Sequence, residues 1–175
     1  MIEIMLENWK DLPGVTRSFA AGSSLYRQSD KVTSIFQIIE GEVRLIRRSR
    51  GGDTLILQRA TAGSVVAEAS LFSSVYHCDA IASIFVRAII VRRSAVKRKF
   101  ESDPAFAKAW ADHLAQEVRA ARQRAEILSL KTVSGRLRAW LDYFGPLPPK
   151  GNWKGLAQEL GISAESLYRE IAKRN

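Results

Sequence analysis

The sequence predicts an α+β chain: an N-terminal β-sandwich or barrel, then a long helix, then a small helical module at the C-terminal end. Three observations carry this. Short apolar runs separated by glycine-bearing turns fill residues 15 to about 100, the spacing of an all-β sandwich or barrel. At Asp103–Pro104 the apolar period switches to that of a helix. The closing stretch, "LAQELGISAESLYREIAK", has the spacing of a helix-turn-helix. The chain accordingly divides into residues 1–103, a helix at 104–130, and a module at 131–175.

In the first part, "SIFQIIEGEVRLIRRS" reads as a hairpin, with Glu40–Gly41 as a tight turn between "IFQII" and "EVRLI". "SRGGDTLILQRA" repeats the pattern, with a turn at Gly51–Gly52–Asp53 before a strand. "DAIASIFVRAIIVRR" is long enough for two strands or one bent strand. Pro104 suits the first turn of a helix, and Ser102 or Asp103 can cap it. Trp110, Leu114, Val118, Ala121, Ala125 and Leu128 then follow at 3.6 residues per step, the α-helical period. A helix over 104–130 is roughly 40 Å long at about 1.5 Å per residue, more than a small barrel needs for cover. The stripe is therefore expected to pack against a twin in a second chain, with a helix lying on its own barrel as the alternative. "KTVSGRLRAWLDYF" reads as a second amphipathic helix, and the proline-rich "GPLPPKGN" as a connection that cannot stay helical.

Composition narrows the function classes. The 175 residues include 46% hydrophobic ones, enough for a real core. No run of about 18 apolar residues is present, so no membrane span is expected. "MIEIMLENWKDLPG" carries acids and no long apolar block, and reads as no signal peptide. One cysteine rules out an internal disulfide and a four-cysteine metal site. A cytoplasmic location fits. The net charge of +9, from 27 basic and 18 acidic residues, favours an anionic partner such as nucleic acid. The excess is spread along the chain and does not by itself locate a surface.

The closing stretch is more specific. Ala157 is small where two helices must cross. Gly161, four residues on, can take the left-handed conformation that ends the first helix. Ser163 is a good N-cap for the second, and Glu165 in its first turn suits the positive dipole end. Leu156, Leu160, Ile162, Leu167 and Ile171 supply an apolar seam. Glu165, Arg169 and Lys173 recur every four residues and share an outward face. Arginine can bond a guanine edge, glutamate can accept from cytosine, and lysine can neutralise phosphate. The bland alternative is a solvated face on which Glu165 and Arg169 pair.

In order, barrel, long helix, short helix and helix-turn-helix resemble the Crp/Fnr superfamily of bacterial transcription regulators. The residues that carry the likeness are "FAAGSSLYRQSD", "FQIIEGEVRLI", "AGSVVAEASLFS", "EILSLKTVSGRLRAWL" and "LAQELGISAESLYREI". The resemblance implies a cupin-like β-roll (jelly roll) that binds an effector, a homodimer along the long helix, and a winged helix-turn-helix on palindromic double-stranded DNA. RNA polymerase is a further partner it implies. By position, Ser163, Glu165, Ser166, Arg169 and, for phosphate, Lys173 are the implied DNA contacts. Ala164 stands where many members have arginine, which removes one base contact. The family's β-hairpin wing is expected to be missing, because the sequence stops at Asn175. That implies reduced DNA affinity or a truncated protein.

The resemblance also assigns "AEASLFSSVYHCDAIA" to the phosphate-binding cassette of cyclic-nucleotide-binding members. Ala67–Glu68 match its glycine–glutamate pair, so the glutamate for the ribose survives. Cys78 and Asp79 stand where an arginine and a serine grip the cyclic phosphate. The change removes a bidentate charge-assisted contact and places a carboxylate near an anion. Conventional binding of cyclic AMP or cyclic GMP is not expected, and no cofactor is predicted. Haem ligated by His77 or Cys78, or oxidation of Cys78, are alternatives to an ordinary buried cysteine. No metal site is expected. Catalysis is not expected either, since adjacent residues on a strand face opposite ways and cannot form a nucleophile–base pair. A dimeric sensor or interaction module that has lost DNA binding is the rival class.

Overall fold

A computed structural model describes residues 9, 11–48, 51 and 54–174. The amino-terminal segment read above for a leader therefore lies largely outside the described residues, as do Gly52 and Asp53 of the expected turn. The chain forms two compact units, Met1–Ala115 and Gln116–Asn175, and the division falls inside one long helix.

Among the described residues, the first unit holds eight strands: β1 (Gly14–Phe19), β2 (Ser24–Tyr26), β3 (Ser34–Glu40), β4 (Glu42–Arg48), β5 (Thr54–Thr61), β6 (Val65–Val66), β7 (Asp79–Ala82) and β8 (Val86–Arg92). They build two four-stranded antiparallel sheets, β1-β8-β3-β6 and β2-β7-β4-β5, the expected roll. Its core includes Ile35, Ile38, Val43, Leu45, Val66, Leu71, Val86 and Val91.

Pairing corrects one expectation. β3 and β4 are not a hairpin: β3 pairs with β8 and β6, whereas β4 pairs with β5 and β7. Gly41 is the corner at which the chain changes sheet. Its φ is 92°, and a Cβ there would overlap the Phe85 carbonyl, so glycine is required by close backbone approach as well as by conformation. The hairpin is the next one along, with Arg48 opposite Thr54. "DAIASIFVRAIIVRR" does make two strands, β7 and β8, one in each sheet.

Five α-helices follow among the described residues: α1 (Arg93–Ser102), α2 (Pro104–Ser129), α3 (Val133–Phe144), α4 (Trp153–Glu159) and α5 (Ala164–Ala172). Helix α1 is not expected from the sequence pattern. It opens without a side-chain cap and buries only Ala95 and Val96, so no apolar stripe announces it. Asp103 ends α1 and starts α2, its Oδ1 accepting from the N–H groups of Ala105 and Phe106 at 3.0 Å each.

The stripe on α2 also needs correction. Trp110 is fully buried in the first unit, between Trp9 and Phe106 at ring distances of 6.3 and 5.8 Å, and Leu114 packs on the same core. Trp110 is thus covered by its own unit, whereas Leu114 stays half-buried. Further along, Val118 and Leu128 remain 48% and 42% exposed, and Ala121 and Ala125 are exposed as well.

The second unit is held by its own core of Ile127, Leu137, Leu156, Ala157, Leu160, Leu167 and Ile171. Among the described residues, no helix is long and apolar enough to cross a membrane.

Candidate nucleic-acid interface and effector pocket

In the second unit α4 and α5 are joined by a turn of four residues, 160–163. Gly161 has a φ of 61°, and the Ile162 N–H returns to the Ala157 carbonyl at 3.0 Å, closing the end of α4. Ala157 is buried under the crossing, as its size requires. Ser163 is the N-cap of α5, its Oγ accepting from the Ser166 N–H at 3.1 Å while donating to the Ser166 Oγ at 2.9 Å.

The residues expected to contact DNA therefore divide. The hydroxyls of Ser163 and Ser166 are occupied with the cap, and Ser166 is half-buried. Glu165 and Arg169 on α5 and Lys173 at its C-cap are exposed, spaced about one turn apart. Backbone N–H at the helix start, with the Ser163 hydroxyl and then Arg169 adding to it, holds the Glu165 carboxyl below the usual carboxylate range. The face thus carries a fixed anion, a guanidinium and an ammonium.

One residue that positions this face escapes sequence reading. Arg136 on α3 donates from Nε to the Leu130 carbonyl at 2.8 Å, and from Nη1 to the Leu160 and Gly161 carbonyls at 2.9 and 3.2 Å. It ties the segment after α2 to the turn that precedes α5. A Cβ at position 161 would crowd both Leu128 and this guanidinium. In "SGRLRAWL" nothing distinguishes Arg136 from a solvated helix residue, so no signal points to it.

In the first unit, the cassette segment runs from β6 through Ala67, a 3-10 turn at Glu68–Ser70, and a loop into β7. Ala67 holds a left-handed backbone, φ 72°, the conformation that glycine adopts freely and that costs alanine about 1–2 kcal/mol. Glu68 is buried. Cys78 is fully buried, whereas its neighbour His77 is exposed, so the pair does face opposite ways. Burial pushes the Cys78 thiol up to about 11, against the pull of Tyr26 beside it. Burial, with Cys78 and Glu68 adding repulsion, keeps the Tyr26 phenol protonated. Burial and then Arg47, which donates to the His77 carbonyl at 3.0 Å, lower the His77 imidazole. Asp79 is half-buried, and its Oδ1 accepts from the Gln28 N–H at 2.7 Å. Tyr26 stacks on Tyr76 at 4.0 Å and packs against Phe36 at 5.5 Å. Positions 78 and 79 thus carry a thiol held in its neutral form and a carboxylate engaged by the Gln28 N–H, with Arg47 alongside. Among the described residues, no group of three or more His, Cys, Asp or Glu is placed to hold a metal ion.

Comparison with known proteins agrees with this architecture. A family model described as a cyclic nucleotide-binding domain matches residues 16–103. The solved structure of FixK2 from Bradyrhizobium japonicum aligns with a TM-score of 0.76 and 20% identity, over 93% of this chain and 84% of that one. CLP, the c-di-GMP responsive global regulator of Xanthomonas campestris, aligns at 0.72 and 20% identity, over 98% and 89%. A Crp-family transcriptional regulator from Thermus thermophilus aligns at 0.68 and 17%, over 90% and 83%. No curated protein matches the chain.

Proposed function

The chain belongs to the cyclic nucleotide-binding domain family, and we propose that it acts as a Crp/Fnr-type transcription regulator, a homodimer reading a two-fold symmetric DNA site through α5. The observation that carries this reading is the exposed Glu165–Arg169–Lys173 face, presented on a capped helix whose preceding turn is pinned by Gly161 and Arg136. Arg169 reads a base edge by two parallel hydrogen bonds, Glu165 accepts from an exposed base amine, and Lys173 neutralises phosphate. Ser163 and Ser166 fix the helix start and thereby the register of the other three. The net charge of +9 supports an anionic partner. The twin helix packs on Val118, Ala121, Ala125 and Leu128, the part of the α2 stripe left exposed. The first unit serves as the sensor, without gripping cyclic AMP or cyclic GMP in the usual way, because Cys78 and Asp79 supply no cation for the phosphate.

Selection of duplexes from a random pool, followed by gel shift, tests the reading. A palindromic site should emerge, and Arg169→Ala should cost about 1–3 kcal/mol and relax preference at one base position in each half-site. An unchanged selected site in the Arg169→Ala protein would refute the docking. A dimer that retains no duplex would favour an interaction module instead.

A further inference from the structure

The first unit carries a second concave surface, built by residues other than Ala67, Glu68, Cys78 and Asp79. Two adjoining hollows of about 440 and 620 Å³ share Thr33, Ser34 and Arg92. The sheet register sets the character of the smaller one. Val15 on β1 and Phe36 on β3 both lie opposite Ile90 on β8, forming one apolar row across three strands. Arg17 lies opposite Ala88 in the next row on one side, and Arg92 lies opposite Ser34 in the next row on the other. With same-face rows about 6–7 Å apart, the two arginine positions bracket the apolar row over about 13 Å.

The facing wall is fixed in place. The Ser29 N–H donates to the Tyr76 carbonyl and the Tyr76 N–H to the Asp30 carbonyl, both at 2.9 Å, while the Tyr76 hydroxyl donates to the Ser34 carbonyl at 2.8 Å. This holds Asp30 and Lys31 at the rim and the Tyr76 ring in the wall. Three cations, Arg17, Lys31 and Arg92, thus surround an apolar floor against the single carboxylate of Asp30. None of the three has an ion-pair partner among the described residues. A neutral apolar molecule would leave these charges unused, and a bare inorganic anion would leave the exposed Val15 and the half-buried Ile90 uncovered above the buried Phe36.

We propose that this groove binds an amphipathic organic anion, with its apolar body on Val15 and Ile90 and its carboxylate, sulfonate or phosphate head on Arg17 or Arg92. The inference deepens the sensory part of the proposed function, but binding measured without DNA stands or falls separately from DNA recognition. Calorimetry of the full chain with decanoate below its micelle concentration is the test, with decanol and inorganic phosphate as the neutral and the bare-anion probes. Decanoate should bind one saturable site per chain, more tightly than decanol, and phosphate should not displace it. Because both side chains are exposed, Arg17→Gln and Arg92→Gln should keep the native circular dichroism. At least one of them should weaken decanoate about tenfold, the effect of one lost charge-assisted hydrogen bond. Absence of saturable binding would overturn the proposal, as would undiminished binding in the doubly substituted protein. Binding to anionic phosphatidylglycerol vesicles without binding to monomeric decanoate would overturn it in favour of a lipid surface.

Discussion

Replacing Arg136 by alanine removes three hydrogen bonds at once. The donors reach the Leu130 and Leu160 carbonyls at 2.8 and 2.9 Å in half-buried surroundings, and the Gly161 carbonyl at 3.2 Å in an exposed one. A bond from a charged donor contributes about 1.5–3 kcal/mol when desolvated, and clearly less where water competes. Discounting the two half-buried bonds and neglecting the exposed one leaves a loss of about 2–3 kcal/mol, concentrated on the turn before α5. Amide hydrogen exchange reports on that turn directly. The N–H groups of Leu160, Gly161 and Ile162 bond to the carbonyls of Leu156, Gln158 and Ala157. A local loss of about 2.8 kcal/mol speeds their exchange about a hundredfold. Arg136→Lys should recover only part of this, because one ammonium cannot reach carbonyls on both sides as the fork does. DNA affinity should fall with turn protection, while protection across β3 and β8 stays as it was. Unchanged exchange at 160–162 in the alanine protein, or full recovery with lysine, would refute the reasoning.

Two further outcomes follow from the first unit. The Cys78 thiol, pushed up to about 11 from an ordinary 9, keeps in the native state a proton that the unfolded chain releases. Its contribution is therefore intact below pH 9 and lost as pH rises from 9 towards 11. Urea titrations at pH 8 and pH 10.5 should show that fall, Cys78→Ala should flatten it, and iodoacetamide at pH 8 should label the thiol only on unfolding. Trp110→Ala should destabilise the first unit by about 3–5 kcal/mol in thermal melts, as loss of a fully buried aromatic does. A variant with an unchanged melting point and a weakened dimer would restore Trp110 to the interface.

What the sequence reveals depends on how local its cause is. The Ser163 cap, the Gly161 turn and the helical period of α2 are set by neighbours a few residues away, and each is found where its residues place it. The stripe on α2 is different. Its period identifies an apolar face but not what covers it, so Trp110 and Leu114 look the same in sequence as Val118 and Leu128. Strand pairing is further removed. "IFQII" and "EVRLI" have the turn and the apolar content of a hairpin, yet the partner of β3 is β8, some fifty residues on. The candidate sites follow the same rule. Glu165, Arg169 and Lys173 share a face by periodicity alone. Arg136 acquires its role only when three carbonyls from distant segments converge on it. The groove between Arg17 and Arg92 exists only once three strands are in register.

The corner at Gly41 has a consequence for how the chain is made. Because β3 turns away from β4, its long-range partner is β8, which among the described residues is also the only strand that pairs with β1. Until residues 86–92 leave the ribosome, β1 and β3 have no template for their main pairing, and β3 can find only the two-residue β6. The first half of the nascent chain therefore waits with open strand edges, a state prone to misassociation. Closure of the roll must then span nearly the whole unit in one step, so folding is expected to be slow for a domain of this size. When β8 emerges it fills the gap between β1 and β3 and completes their sheet from its middle.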